Sequence, residues 1–123
     1  MTITLENVTV PDTGPFEINV KLTGNIRLKP EAARRRVSVF VGNQIADLLY
    51  GEAPDLVLRE NGFFWRVPVV LACRSKGRLG LVGKIDVHVE TGELNITPQL
   101  ISEIEQNAER FEFDETAAAI YPF

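Results

Sequence analysis

The apolar and polar positions of this chain recur with two periods. From Phe63 to Cys73 every odd position is apolar (Phe63, Trp65, Val67, Val69, Leu71, Cys73), and from Leu79 to Val89 the odd positions repeat the pattern through Leu81, Gly83, Ile85 and Val87. Alternate side chains point to opposite faces of a strand, so these runs predict two antiparallel strands with one buried and one largely solvated face. "RSKG" turns the chain between them, and "ETGE" ends the second run with Gly92 free to take a positive φ. Shorter strands are expected at 56–60 and 94–96. The run "FEINVKLT" (Phe16 to Thr23) also alternates and predicts a half-buried strand, paired in a hairpin with a weaker strand over 2–10. Pro68 cannot donate a ladder hydrogen bond, so its strand lies there at an edge, past the end of its neighbour, or at a bulge.

The other period is helical. Pro30 suits a first helical position, and Ala33, Val37, Val41, Ile45 and Leu48 form an apolar stripe that Phe40 and Leu49 widen. Gly51 reads as the left-handed residue past the end of this helix. A second helix starts at Thr97 as N-cap and Pro98 as first residue, with Ile101, Ile104, Ala108 and Phe111 on one side. These elements predict an α+β fold: an antiparallel β-meander packed on one face by two helices, with an N-terminal β-hairpin. One domain over 1–123 is expected, divided into a hairpin (1–28), a helix–meander–helix core (30–112) and a tail (113–123).

Composition narrows the class. The 123 residues are 45% hydrophobic and 24% charged, with one cysteine and one histidine. That is a globular balance, long enough to bury a core without disulfide or metal. No run approaches the ~20 apolar residues of a membrane span. No signal peptide is read at the N-terminus, and the expected compartment is the cytoplasm.

Charge is segregated along the chain. Residues 19–36 hold six basic side chains against Glu31, while 85–123 hold nine acids against Arg110. Arg34, Arg35 and Arg36 form the densest basic cluster. The tail pairs three acids with an apolar end, Ile120, Tyr121 and Phe123. Both are candidate contacts for a protein partner. Nucleic acid is not expected as a partner, given a pI near 5.0 and no recognition-helix or RNA-binding signature. A homodimer through sheet faces, or through the edge near Pro68, is a further arrangement the pattern allows.

Catalytic chemistry was sought around the single histidine. Asp86, His88 and Glu90 share one strand face, and an acid/base or ligand-binding role on that face is the alternative to protein binding. Alternate strand residues stand roughly 6.5–7 Å apart, too far for a compact tetrahedral ion, so no metal is expected. Cys73 falls on the apolar face, opposite in parity to His88, and reads as a buried inert thiol. "GRLGLVG" lacks the Lys-Ser/Thr ending and following helix of a phosphate loop. No cofactor is expected.

The order helix, "FFWRVPVVL", "GLVGKIDVHVETGEL", helix resembles the PepSY and cystatin-like α+β group over residues 30–112. The stretch from "KLTGNIRLKPEAARRRV" to "GLVGKIDVHVETGEL" is also similar to small prokaryotic proteins encoded beside PIN-domain ribonuclease toxins. The second likeness implies a non-catalytic, antitoxin-like partner protein and carries over no site residues. The leading expectation is therefore a non-catalytic protein-binding or regulatory protein, with a toxin as one candidate partner.

Overall fold

The computed structural model describes residues 3–6, 11–19 and 21–120, and side chains as far as Phe111 in the last helix. In chain order the elements are β1 (Ile3–Leu5), α1 (Pro30–Gln44), β2 (Leu49–Gly51), β3 (Asp55–Arg59), β4 (Gly62–Cys73), β5 (Gly77–His88), β6 (Leu94–Asn95) and α2 (Pro98–Ile120). The fold is α+β; among the described residues there is one six-stranded sheet ordered β1-β3-β4-β5-β6, with β2 paired to β4. The run β3 to β6 is the expected antiparallel meander. No helix among the described residues is long and apolar enough to cross a membrane.

Among the described residues, the expected N-terminal hairpin pairing is not present. β1 pairs with β3 in parallel, Thr4 opposite Val57, so the sheet is mixed. Residues 16–19 and 21–23 carry no strand, and Phe16, Ile18 and Leu22 are exposed. Alternation supplies a face but not a partner. The free edge of β3 is taken by β1, and Arg27 and Leu28 donate their backbone N–H groups to the Val89 carbonyl instead of forming a ladder.

α1 is shorter than its apolar stripe. It ends at Gln44, where the N–H groups of Ile45 and Ala46 both bond the Val41 carbonyl. Leu49–Gly51 then pairs with Val69–Leu71 as a strand. Gly51 is thus no helix cap. A Cβ there would lie 2.8 Å from Val67 Cγ1 and 3.1 Å from the Arg34 carbonyl, so glycine permits close packing between α1 and β4. Its N–H donates to Ser38 Oγ at 2.9 Å.

β2 and β3 lie end to end along one edge of β4, and Pro68 faces the gap between them. Its carbonyl accepts the Glu52 N–H at 2.9 Å. The C=O and N–H of one strand residue point to the same side, so the donor that Pro68 lacks falls opposite Glu52, just past the end of β2, where the ladder is already ending. The edge near Pro68 is therefore already occupied by the chain itself.

β5 departs from simple alternation in its first half. The register with β4 shifts between Val69 and Val70, leaving Val82 as an extra residue, and again between Leu71 and Ala72. A bulge moves the following side chains to the other face. Val82 is accordingly buried and Leu81 is 47% exposed, the reverse of the expected parity. The Val82 carbonyl accepts a hydrogen bond from Asn107 Nδ2 of α2 at 2.9 Å.

The core lies between the sheet and the helices. Trp65, Val67, Val69, Ile85 and Val87 meet Ala33, Val37 and Val41 of α1 and Ile104 and Ala108 of α2. Large apolar side chains buried this way each contribute about 1.5–3 kcal/mol. Trp65 also donates Nε1–H to the Leu28 carbonyl at 2.8 Å. α2 begins as predicted, with Thr97 Oγ1 accepting the Leu100 N–H. It crosses β5 at its glycines: a Cβ on Gly83 would sit 2.6 Å from Ile104 Cγ1, and one on Gly80 2.6 Å from Phe111 Cζ. The helix backbone continues through residues 113–120, the first part of the expected tail.

Candidate functional site

The three arginines of α1 have separate surroundings. Arg34 forks onto Glu31, with Nε 3.0 Å from both carboxylate oxygens, and this bond holds the Glu31 carboxyl below its ordinary range. Arg36 donates from Nη1 to the Gly92 carbonyl at 2.9 Å, tying α1 to the turn after β5. Gly92 sits at φ +74°, a conformation that favours glycine, and a Cβ there would displace the Arg36 guanidinium from its carbonyl. Arg35 is exposed and makes no hydrogen bond or ion pair with any described residue.

Arg35 and Arg36 rim an open groove of about 580 Å³ along the side of α1. Its floor is Ala32, Val39, Phe40 and Leu94, with Asn43 and Gln44 at one end. These α1 positions recur at three- and four-residue spacings, one helix flank beside the stripe that faces the core. Val39 is 57% exposed there. The tail candidates lie outside the described residues: Tyr121 and Phe123 altogether, and Ile120 in its side chain.

Asp86, His88 and Glu90 do not converge. Asp86 is buried and receives Arg66 through Nε at 2.8 Å and Nη2 at 3.0 Å, and Arg59 through Nη1 at 3.2 Å. Glu6, beyond β1, pairs with Arg66 and lies 3.7 Å from Arg59. Two carboxylates thus meet two guanidiniums on the sheet face away from the helices. The hydrogen bond to Asp86, followed by that to Glu6, raises the Arg66 pKa above its ordinary value against the opposing effect of burial. The polar face of β5 is therefore only partly solvated. Phe64, on this same polar face, is buried under Arg59, with the guanidinium carbon 5.6 Å from the ring centre.

His88 serves the turn. Its Nδ1 accepts the backbone N–H groups of Glu90 at 3.2 Å and Thr91 at 3.3 Å. The ring packs edge-on to Phe64, centroids 5.2 Å apart at 82°. An Nδ1 that accepts two donors requires the tautomer with hydrogen on Nε2. Beside His88 lies a cavity of about 340 Å³, lined by Asn61, Phe64, Glu93, Leu94, Asn95 and Ile96. Glu90 is exposed and does not line this cavity.

Cys73 lies at the end of β4, only partly buried, and its sulfur accepts the Lys76 N–H at 3.2 Å. The expectation of a fully buried thiol fails because the strand runs out into the turn there. Among the described residues, no group of three or more His, Cys, Asp and Glu is placed to hold a metal ion.

Sequence reasoning missed Glu6, Arg59, Asn61 and Asn95. Asn61 sits in the tight β3–β4 turn and Asn95 in the short β6, and each comes to line the same cavity as His88 only through strand pairing. The signal for Arg66 was available, since it occupies the same polar parity as Phe64. A scan against family models, a search of curated proteins and a search of solved structures each found no match.

Proposed function

We propose that the chain is a non-catalytic protein-binding or regulatory protein, and that the groove along α1 receives an acidic amphipathic segment of its partner. The observation that carries this reading is the groove itself: an apolar lining of Val39, Phe40 and Leu94 beside two guanidiniums, one of which makes no hydrogen bond or ion pair with the described residues. An amphipathic helix lays its apolar side into such a floor, and carboxylates on its flank meet a basic rim. Of the three arginines, Arg35 is the contact residue in this reading. Arg34 and Arg36 hold the fold, through Glu31 and Gly51 and through Gly92. The likeness to proteins encoded beside PIN-domain toxins makes a toxin of that kind the first partner to test.

A photoreactive side chain at position 39 tests the assignment in the native cell. The expected result is a cross-linked protein whose attached segment is acidic and amphipathic. Binding of the purified pair then weakens at least tenfold with Arg35→Glu and is unchanged with Arg110→Glu on α2. Cross-linking to no protein, or a captured partner indifferent to Arg35→Glu, rejects the groove.

A further inference from the structure

We infer that the cavity beside His88 is a binding site for a small uncharged polyhydroxylated molecule of monosaccharide size. This site adjoins the α1 groove at Leu94, which lines both, but its polar groups are its own and it does not rest on the groove's having a partner. Its central feature is a donor fixed in advance. Two backbone N–H groups occupy the His88 Nδ1 lone pair, which leaves hydrogen on Nε2, and Phe64 holds the ring plane edge-on. No described residue accepts a hydrogen bond from Nε2. His88 lines a cavity of about 340 Å³, within the size range of small-molecule sites. A donor whose direction is set before binding loses little entropy when a ligand oxygen meets it.

The residue facing Nε2 is compatible with access. Gly62 sits at φ +126°, and a Cβ there would stand 3.3 Å from Nε2, so a side chain at this position would cover the donor. The remaining lining selects the ligand. Asn61 and Asn95 each offer both a donor and an acceptor, Glu93 offers acceptors, and Ile96 provides an apolar wall. Hydroxyl groups, which both donate and accept, fit this mixture, and the C–H face of a sugar ring fits the wall. Glu93 disfavours phosphate and carboxylate ligands. Nucleobases are held largely by stacking, and Phe64 is only 4% exposed, so it presents no open ring face. Asp86 takes no part, because it faces Arg59 and Arg66.

The test titrates the full chain with glucose, galactose, ribose and myo-inositol, following His88 Nε2–H and the side-chain amides of Asn61 and Asn95 by NMR. Saturable shifts at these three residues are expected for at least one probe. Affinity should fall at least tenfold in Asn61→Leu and Asn95→Leu, two exposed positions whose melting temperatures stay near that of the wild type. Arg35→Glu should leave the titration unchanged. The inference is overturned by absence of saturable shifts with all four probes up to tens of millimolar. Shifts that survive both asparagine replacements overturn it too, as does adenosine binding at the cavity in place of every polyol.

Discussion

The two faces of the sheet are held by different physics. Toward the helices, contact is steric: Ile104 and Phe111 sit where Gly83 and Gly80 have no Cβ, and Val37, Val41 and Trp65 fill the remaining space. Away from the helices, contact is electrostatic: Glu6, Arg59, Arg66 and Asp86 neutralise one another beside Phe64 and His88. A close-packed face fails when volume changes by a methyl group, whereas a charge network fails when one member is left without its partner. One strand, β5, therefore carries two tolerances to substitution, set by which way each side chain points.

That contrast can be broken most strongly on the steric side. Ile104→Ala should destabilise the chain by about 3–4 kcal/mol, since Ile104 is fully buried. Gly83→Ala alone should cost about 1–3 kcal/mol by overpacking. Combining them should cost clearly less than their sum, because the added methyl enters the space Ile104 vacates. Urea unfolding of the four proteins checks this, and strict additivity would show that the two residues do not share that space.

On the charged face, Asp86→Asn should cost about 2 kcal/mol, less than a fully buried pair because Arg59 and Arg66 keep some access to water. The loss should shrink as salt is added, while that of Ile104→Ala should not, and unfolding at low and high ionic strength separates the two. Asn107→Leu leaves the Val82 carbonyl without its side-chain donor and should cost about 1–2 kcal/mol. Faster amide exchange around Val82, with the rest of β5 unchanged, is its expected signature.

The smallest effect is at the surface. The hydrogen bond from Arg78 holds the Glu52 carboxyl below its ordinary value. A depressed carboxyl stabilises the fold above the ordinary glutamate range, and that contribution is lost as pH falls through the lowered value. Arg78→Ala should return the Glu52 titration, followed by carboxyl NMR, upward toward the ordinary glutamate value. The melting temperature at neutral pH should hardly move, since the pair is exposed and screened.

Legibility from sequence follows the same division. The strand from Gly62 to Cys73 and the start of α2 were legible, because period-two alternation and the Thr97-Pro98 cap are local features. The close approach at Gly83 was legible too, as a glycine on an apolar face. Val82 was not, because a bulge is decided by the partner strand, and "LGLVG" reads equally well in regular register. The end of α1 was hidden for a related reason: Leu49–Gly51 continues an apolar stripe, yet it pairs with β4. Phe16–Thr23 shows the converse, a strand-like pattern to which no sheet edge among the described residues is given. Of the candidate site, His88 was visible as a singular residue, but its neighbours Asn61 and Asn95 arrive from turns and edges whose register no local pattern encodes.

The bond between Trp65 and the Leu28 carbonyl makes the chain its own optical probe. Trp65 is the sole tryptophan and is fully buried, and its indole N–H is tied to the segment that leads into α1. Emission should therefore be blue-shifted in the native protein and should move to the red when that segment lifts away. Any ligand or partner that loosens the approach to α1 can then be followed by fluorescence, with no label attached.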